Sequence, residues 1–239
     1  MRHLSAFAVG ILAILVVYSV IHICINPNSV DIMIICAGLA YLIGSVPTGP
    51  VIAKIMGLGD LRTIGSGNIG ATNVLRTGNK KAAAFTLIGD MLKGTLAVFL
   101  CYALPLSGFT FPVSQADFGM ILGFCAFFGH LYPIFLNFQG GKGVATYLGV
   151  ILAYSPLLWG LALLIWIVAG YISKISSVGA LTMALFMPIF IYIYAGDMSL
   201  SVIILALISI IVILKHHTNI KKIYAGTESK ISFLDKKPV

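Results

Sequence analysis

Apolar residues fill this chain in long runs, and polar residues gather in a few short clusters between them. The runs cover residues 4–25, 30–56, 82–104, 117–138, 144–172, 178–195 and 200–214. A helix needs roughly 20 apolar residues to cross a bilayer, and most of the runs meet that length. The first follows Arg2 and His3, and no small-x-small cleavage site comes after it. It reads as an uncleaved transmembrane helix rather than a signal peptide. The second run is interrupted by Gly44, Pro47, Gly49 and Pro50, and the fifth by Ser155-Pro156. The pattern predicts an all-α, polytopic helical membrane protein.

Composition agrees. The chain is 59% apolar and 9% charged, where a soluble domain carries about 25% charged residues. A soluble globule of this size could not hide so much apolar surface. The net charge of +8 would suggest nucleic acid as partner of a soluble protein. Here the positive charges sit between apolar runs, so they report membrane orientation and imply no nucleic acid. Cys24, Cys36, Cys101 and Cys125 all lie inside apolar stretches. They have no metal-ligand spacing and suggest neither a metal site nor a disulfide frame.

Charge orients the spans. Of fifteen Lys and Arg, Lys93 alone lies inside a span. The others fall in the N-terminal stub, the 54–81 region, the Gly-Lys-Gly loop, at Lys174 and in the tail. The positive-inside rule places this basic set in the cytoplasm. The chain must then leave and return between Lys142 and Lys174, so 144–154 and 156–172 form two arms of a hairpin. The first arm has about half the residues of a full crossing. It is expected to start below the lipid surface or to be partly re-entrant. Both termini end up inside.

Three polar clusters share that face. The first is Gly65-Ser66-Gly67-Asn68-Ile69-Gly70-Ala71-Thr72-Asn73, followed by Arg76. Its glycines allow tight turns that aim several N–H groups at one anion. Ser66, Asn68, Thr72 and Asn73 add neutral hydrogen-bonding groups, and Arg76 can clamp a phosphate. No strand precedes the loop, which excludes a dinucleotide fold. The second cluster, Gly129-His130 through Gly140-Gly141-Lys142-Gly143 to Thr146, resembles a phosphate-binding helix start with one added cation. His130 reads as a buried histidine with one hydrogen bond rather than as a base. The third, from Lys215-His216-His217-Thr218-Asn219 to Gly226-Thr227-Glu228, reads by itself as a basic tail touching anionic lipid. Asp90 and Lys93, three apart inside a span, pair with each other or line a polar cavity; the structural reading is preferred.

Together the clusters resemble the PlsY family, membrane acyltransferases that use acyl-phosphate and glycerol 3-phosphate. Gly44-Ser45-Val46-Pro47-Thr48-Gly49 also carries the resemblance, which runs from about 32 to 228. It implies seven family-type helical segments, and the run at 4–25 adds an extra N-terminal helix. The expected organisation is that helix in 1–29, the acyltransferase domain in 30–228 and a cytoplasmic tail in 229–239. The implied reaction moves an acyl chain from acyl-phosphate to the 1-hydroxyl of glycerol 3-phosphate. Lysophosphatidic acid and phosphate result, the first step of phospholipid synthesis. The implied setting is the bacterial inner membrane, with the site facing the cytoplasm, no cofactor, and an upstream acyl-phosphate-forming enzyme as partner.

Carried onto this sequence, the family pattern makes Ser66, Arg76, Lys142, His216 and Asn219 the catalytic set. Gly65, Gly67, Asn68, Gly70, Thr72, Asn73, Gly140, Gly141, Gly143, Thr146 and Ser177 become substrate-binding. Acyl-phosphate is a mixed anhydride with a good leaving group, so direct attack needs positioning and charge stabilisation. The base is either His216 or a substrate phosphate oxygen, and Ser66 as nucleophile is the rival mechanism. The rival function is transport of a phosphorylated small molecule, suggested by the broken helices and by Asp90 and Lys93.

Overall fold

The computed structural model describes residues 29–103 and 112–231. The expected helix over 4–25, Cys24 and the end of the tail lie outside them. The described residues form helices α1 (Ser29–Ser45), α2 (Thr48–Ile55), α3 (Ala71–Leu75), α4 (Lys80–Ala103), α5 (Gln115–Leu131), α6 (Val144–Tyr154), α7 (Pro156–Ser173), α8 (Ser176–Ala195), α9 (Leu200–Lys215) and α10 (His217–Tyr224). Among them, five spans are long and apolar enough to cross a membrane, and α9 passes the same test only together with α10, from which it is bent by 52°. Leu92, Leu96 and Phe99 of α4, and Ile189 and Ile193 of α8, point outward although the helices also pack inward. Helices apolar on every side belong in lipid, so the protein is a multi-pass membrane protein.

The breaks follow local chemistry. Pro47 has no N–H to donate, and the α1–α2 span interrupts there at Val46-Pro47. Ser155 ends α6 and starts α7: its side chain accepts from the Leu158 N–H at 3.4 Å, and Pro156 takes the first helical position. The chain turns there, and α6 and α7 pack on each other.

The short arm is an interior helix. No residue of α6 is exposed, and α4, α5, α7 and α9 pack around it. A helix enclosed by protein need not match the bilayer thickness, which explains its 11 residues. Small residues permit the enclosure. A Cβ on Gly149 would come within 1.9 Å of the Met91 carbonyl oxygen, and one on Gly94 within 2.3 Å of the Thr146 carbonyl oxygen. Thr95 donates to the Gly149 carbonyl at 2.8 Å across the same seam, and Tyr147 shares a 2.7 Å bond with Ser209 of α9. The main core joins Leu148 of this helix to Phe127, Met183 and Leu205. Its N-terminus carries Lys142 to the end of the bundle where the basic loops meet.

Candidate active site

The 65–76 loop is shaped by its own asparagine. Asn73 is buried; its Oδ1 accepts from the Ser66 N–H at 2.9 Å and from the Ser66 hydroxyl at 3.2 Å, while its Nδ2 donates to the Leu61 carbonyl at 2.8 Å. Gly65 and Gly67 take positive φ, 54° and 69°, which favours glycine. The amides of Ala71 and Thr72 open α3 without an intraprotein partner among the described residues. Thr72 Oγ1 ties the loop to Ser176 Oγ of α8 at 3.1 Å.

Opposite lies the 140–143 turn. The Gly140 and Gly141 amides donate back to the Leu131 and His130 carbonyls at 3.2 and 3.1 Å. Gly143, with φ of 83°, precedes α6. Lys142 is half-buried and its ammonium touches Asn219 Oδ1. Burial pulls the Lys142 ammonium below the usual lysine value; Glu228 opposes that pull, while Lys222 and Arg76 add to it. From α10, Asn219 Nδ2 donates to Glu228 Oε1 at 2.6 Å, and Ser177 donates to the same oxygen at 3.0 Å. Arg76 Nη2 donates to Ser229 Oγ at 2.6 Å. His216, just past the end of α9, donates from Nδ1 to the Val212 carbonyl at 2.8 Å, leaving Nε2 a lone pair. Its burial lowers the imidazole to about 4.

These groups surround one cavity of about 120 Å³. That suits a small phosphorylated headgroup and is far too small for a long acyl chain. Leu87, Val144, Trp166 and Ala180 add apolar wall on the helix side. Ser66, Asn68, Gly70, Thr72, Asn73, Arg76, Lys142, Gly143, Ser177, His216 and Asn219 all line it. Gly65, Gly67, Gly140, Gly141 and Thr146 do not. The four glycines shape turns, and the Thr146 hydroxyl is buried without a hydrogen-bond partner. The amides of Gly140 and Gly141, expected to face substrate, are spent on the Leu131 and His130 carbonyls.

Three further corrections concern surroundings. The 215–228 segment is no mere solvated tail, since His216, Asn219 and Glu228 are walls of the cavity. The His130 ring nitrogen Nδ1 is buried with no hydrogen bond, where one was expected. Asp90 and Lys93 do pair, at 2.6 Å, yet Asp90 and His130 also line the cavity. Glu228 and Ser176 were missed. Glu228 is fifty-one positions from Ser177, and only folding brings the two together.

The family model of the glycerol-3-phosphate acyltransferases matches residues 34–226. The chain belongs to the glycerol-3-phosphate acyltransferase family. The acyltransferase is 49% identical over 201 residues to the glycerol-3-phosphate acyltransferase of Bartonella henselae, covering 81% of this chain and 89% of the relative. It is 44% identical over 200 residues to that of Agrobacterium fabrum, covering 84% and 92%. Among solved structures it is similar to PlsY (YgiH), an integral membrane glycerol 3-phosphate acyltransferase. The glycerol 3-phosphate form gives a TM-score of 0.73 at 33% identity, covering 83% of this chain and 94% of that one. The lysophosphatidic acid form gives 0.70 at 30% identity, with the same coverage. This acyltransferase is thus an enzyme of membrane phospholipid synthesis, and no likeness favours the transport reading.

Proposed function

We propose that this enzyme takes its acyl chain from acyl-phosphate and transfers it directly to the 1-hydroxyl of glycerol 3-phosphate at the cytoplasmic face of a bacterial inner membrane. The observation that carries this reading is the pairing of two cations, Arg76 and Lys142, across a cavity that lines both polar loops and apolar helix walls. Two phosphate-bearing substrates, one with a long alkyl chain, need such a boundary site. Arg76, Lys142 and the amides opening α3 hold phosphate oxygens. Ser66, Asn219 and Ser177 orient substrate oxygens.

In the reaction, the glycerol oxygen attacks the acyl carbonyl carbon. The bond from that carbon to the phosphate oxygen breaks, and phosphate leaves with the bonding electron pair. Lys142 and Arg76 stabilise the charge that gathers on it. His216 is neutral near pH 7, and its Nε2 lone pair accepts a hydrogen bond from the attacking hydroxyl. A base with so low a pKa does not retain the proton, which passes to the departing phosphate. Ser66 takes no covalent role: it bonds to Asn73, and no histidine hydrogen-bonds to it among the described residues.

The test supplies purified enzyme with glycerol 3-phosphate and either acyl-phosphate or acyl-coenzyme A. Acyl-phosphate should release phosphate and yield lysophosphatidic acid without added metal. Equal or faster product formation from acyl-coenzyme A would overturn the donor assignment. Cysteines placed at Ser66 and Ser229 should both react with impermeant label from the cytoplasmic side, and labelling from opposite sides would overturn the orientation.

A further inference from the structure

Inside the bundle, three polar groups converge on one carboxylate oxygen. Asp90 Oδ1 accepts from Lys93 Nζ at 2.6 Å and from Thr48 Oγ1 at 2.5 Å. His130 Nδ1 stands 3.6 Å from the same atom. Asp90, Lys93 and His130 are 3%, 5% and 5% exposed. Burying an ion pair costs several kcal/mol per ion, and an apolar replacement of similar volume is often neutral or better. Bundle stability alone therefore does not account for these charges, and ionisable groups in a span mark function.

Their placement shows where they act. His130 is the last but one residue of α5, and its carbonyl receives the Gly141 amide while its neighbour's receives that of Gly140. The imidazole lies directly on the turn: a Cβ on Gly141 would fall 2.2 Å from His130 Nε2. The next residue is Lys142. At 3.6 Å the Asp90 carboxylate orients the ring electrostatically rather than through a hydrogen bond, and so fixes which edge faces Gly141. Thr48 links the same oxygen to the α1–α2 break.

We propose that Asp90 and His130 are positioning residues that set the 140–143 turn, and through it the place of the Lys142 ammonium beside Asn219. This rests on the reading that Lys142 holds substrate phosphate. Neither residue needs to touch the reacting atoms; a misplacement of the turn is enough. Displacements of about 1 Å at a reacting centre cost up to roughly a hundredfold in rate.

A double-mutant design tests it on the purified full chain. Asp90→Asn, His130→Phe and Gly141→Ala are each made in the wild-type and in the Lys142→Ala background. Gly141→Ala changes no charge and only pushes the ring and turn apart, so it stands even where Asp90→Asn fails to fold. Each single change should lower kcat/KM for glycerol 3-phosphate about tenfold or more, while in the Lys142→Ala background the further loss should be under about twofold, the non-additivity of coupled residues. His130→Gln, which keeps a polar group facing Asp90, should retain more activity than His130→Phe. Multiplicative losses in a Lys142→Ala enzyme that is itself impaired would overturn the positioning role alone. A fully active Lys142→Ala would overturn the phosphate clamp and the positioning role with it.

Discussion

Lys142→Met removes an ammonium while keeping most of the side-chain volume. At about 4 Å and an effective dielectric near 20, a cation attracts each unit of phosphate charge by roughly 4 kcal/mol. Part of that attraction replaces lost hydration, and truncating one partner of a close charge pair typically costs about 2–5 kcal/mol. The expected fall in kcat/KM is therefore roughly 30-fold to several-thousand-fold. The fold should survive, because the change strands only the Asn219 Oδ1 contact, a loss of about 1 kcal/mol. Arg76→Met should cost less, since Arg76 is bonded to an exposed serine at the cavity mouth. The assay measures lysophosphatidic acid formation by mass spectrometry over a range of glycerol 3-phosphate concentrations, alongside a thermal unfolding check. A folded Lys142→Met enzyme within about threefold of wild type would refute the clamp, because a charge contact in this setting is worth more than that.

Three more outcomes are expected. Ser66→Ala should retain measurable turnover, and rapid-quench mass spectrometry should find no acyl-serine; an adduct formed at the turnover rate would establish the covalent route instead. His216 ordinarily titrates at 6.5 but is held at about 4 in the fold, so between those values the unfolded chain binds a proton that the folded chain does not. Stability from this residue should thus be full above about 6.5 and fall as pH drops toward 4; thermal midpoints across that window should show the slope, and His216→Gln should flatten it. Gly149→Ala forces a methyl against the Met91 carbonyl, which should destabilise by about 1–3 kcal/mol through overpacking; an unchanged thermal midpoint would show that α4 and α6 part freely.

Much of this architecture was legible in the residues. The proline at 47 and the Ser155-Pro156 corner each act locally, so they speak without tertiary knowledge. The interior position of α6 was only half legible. Its shortness was visible, but a short apolar run reads alike whether lipid or protein surrounds it. Site membership was legible where a side chain's chemistry announces it, as at Arg76 and Lys142. It was not where the same residue type serves two ends. Gly70 and Gly143 line the cavity while Gly140 and Gly141 are turned against α5, and nothing in the letters separates them. Glu228 reads as one acid in a basic tail until Asn219 and Ser177 are seen to converge on it.

The enclosure of α6 has a mechanical consequence. A transmembrane helix in contact with lipid answers a thinner or thicker bilayer by tilting or by drawing its ends toward the interface. No residue of α6 is fully exposed, so hydrophobic mismatch has little direct grip on it, and its register is set by Gly149 against α4 and Tyr147 against α9. The outer helices can lean with the membrane while the lysine at the inner helix's mouth keeps its depth relative to its neighbours. An enzyme whose own product changes the lipid around it thereby carries Lys142 at the mouth of an element that packs on protein along its length.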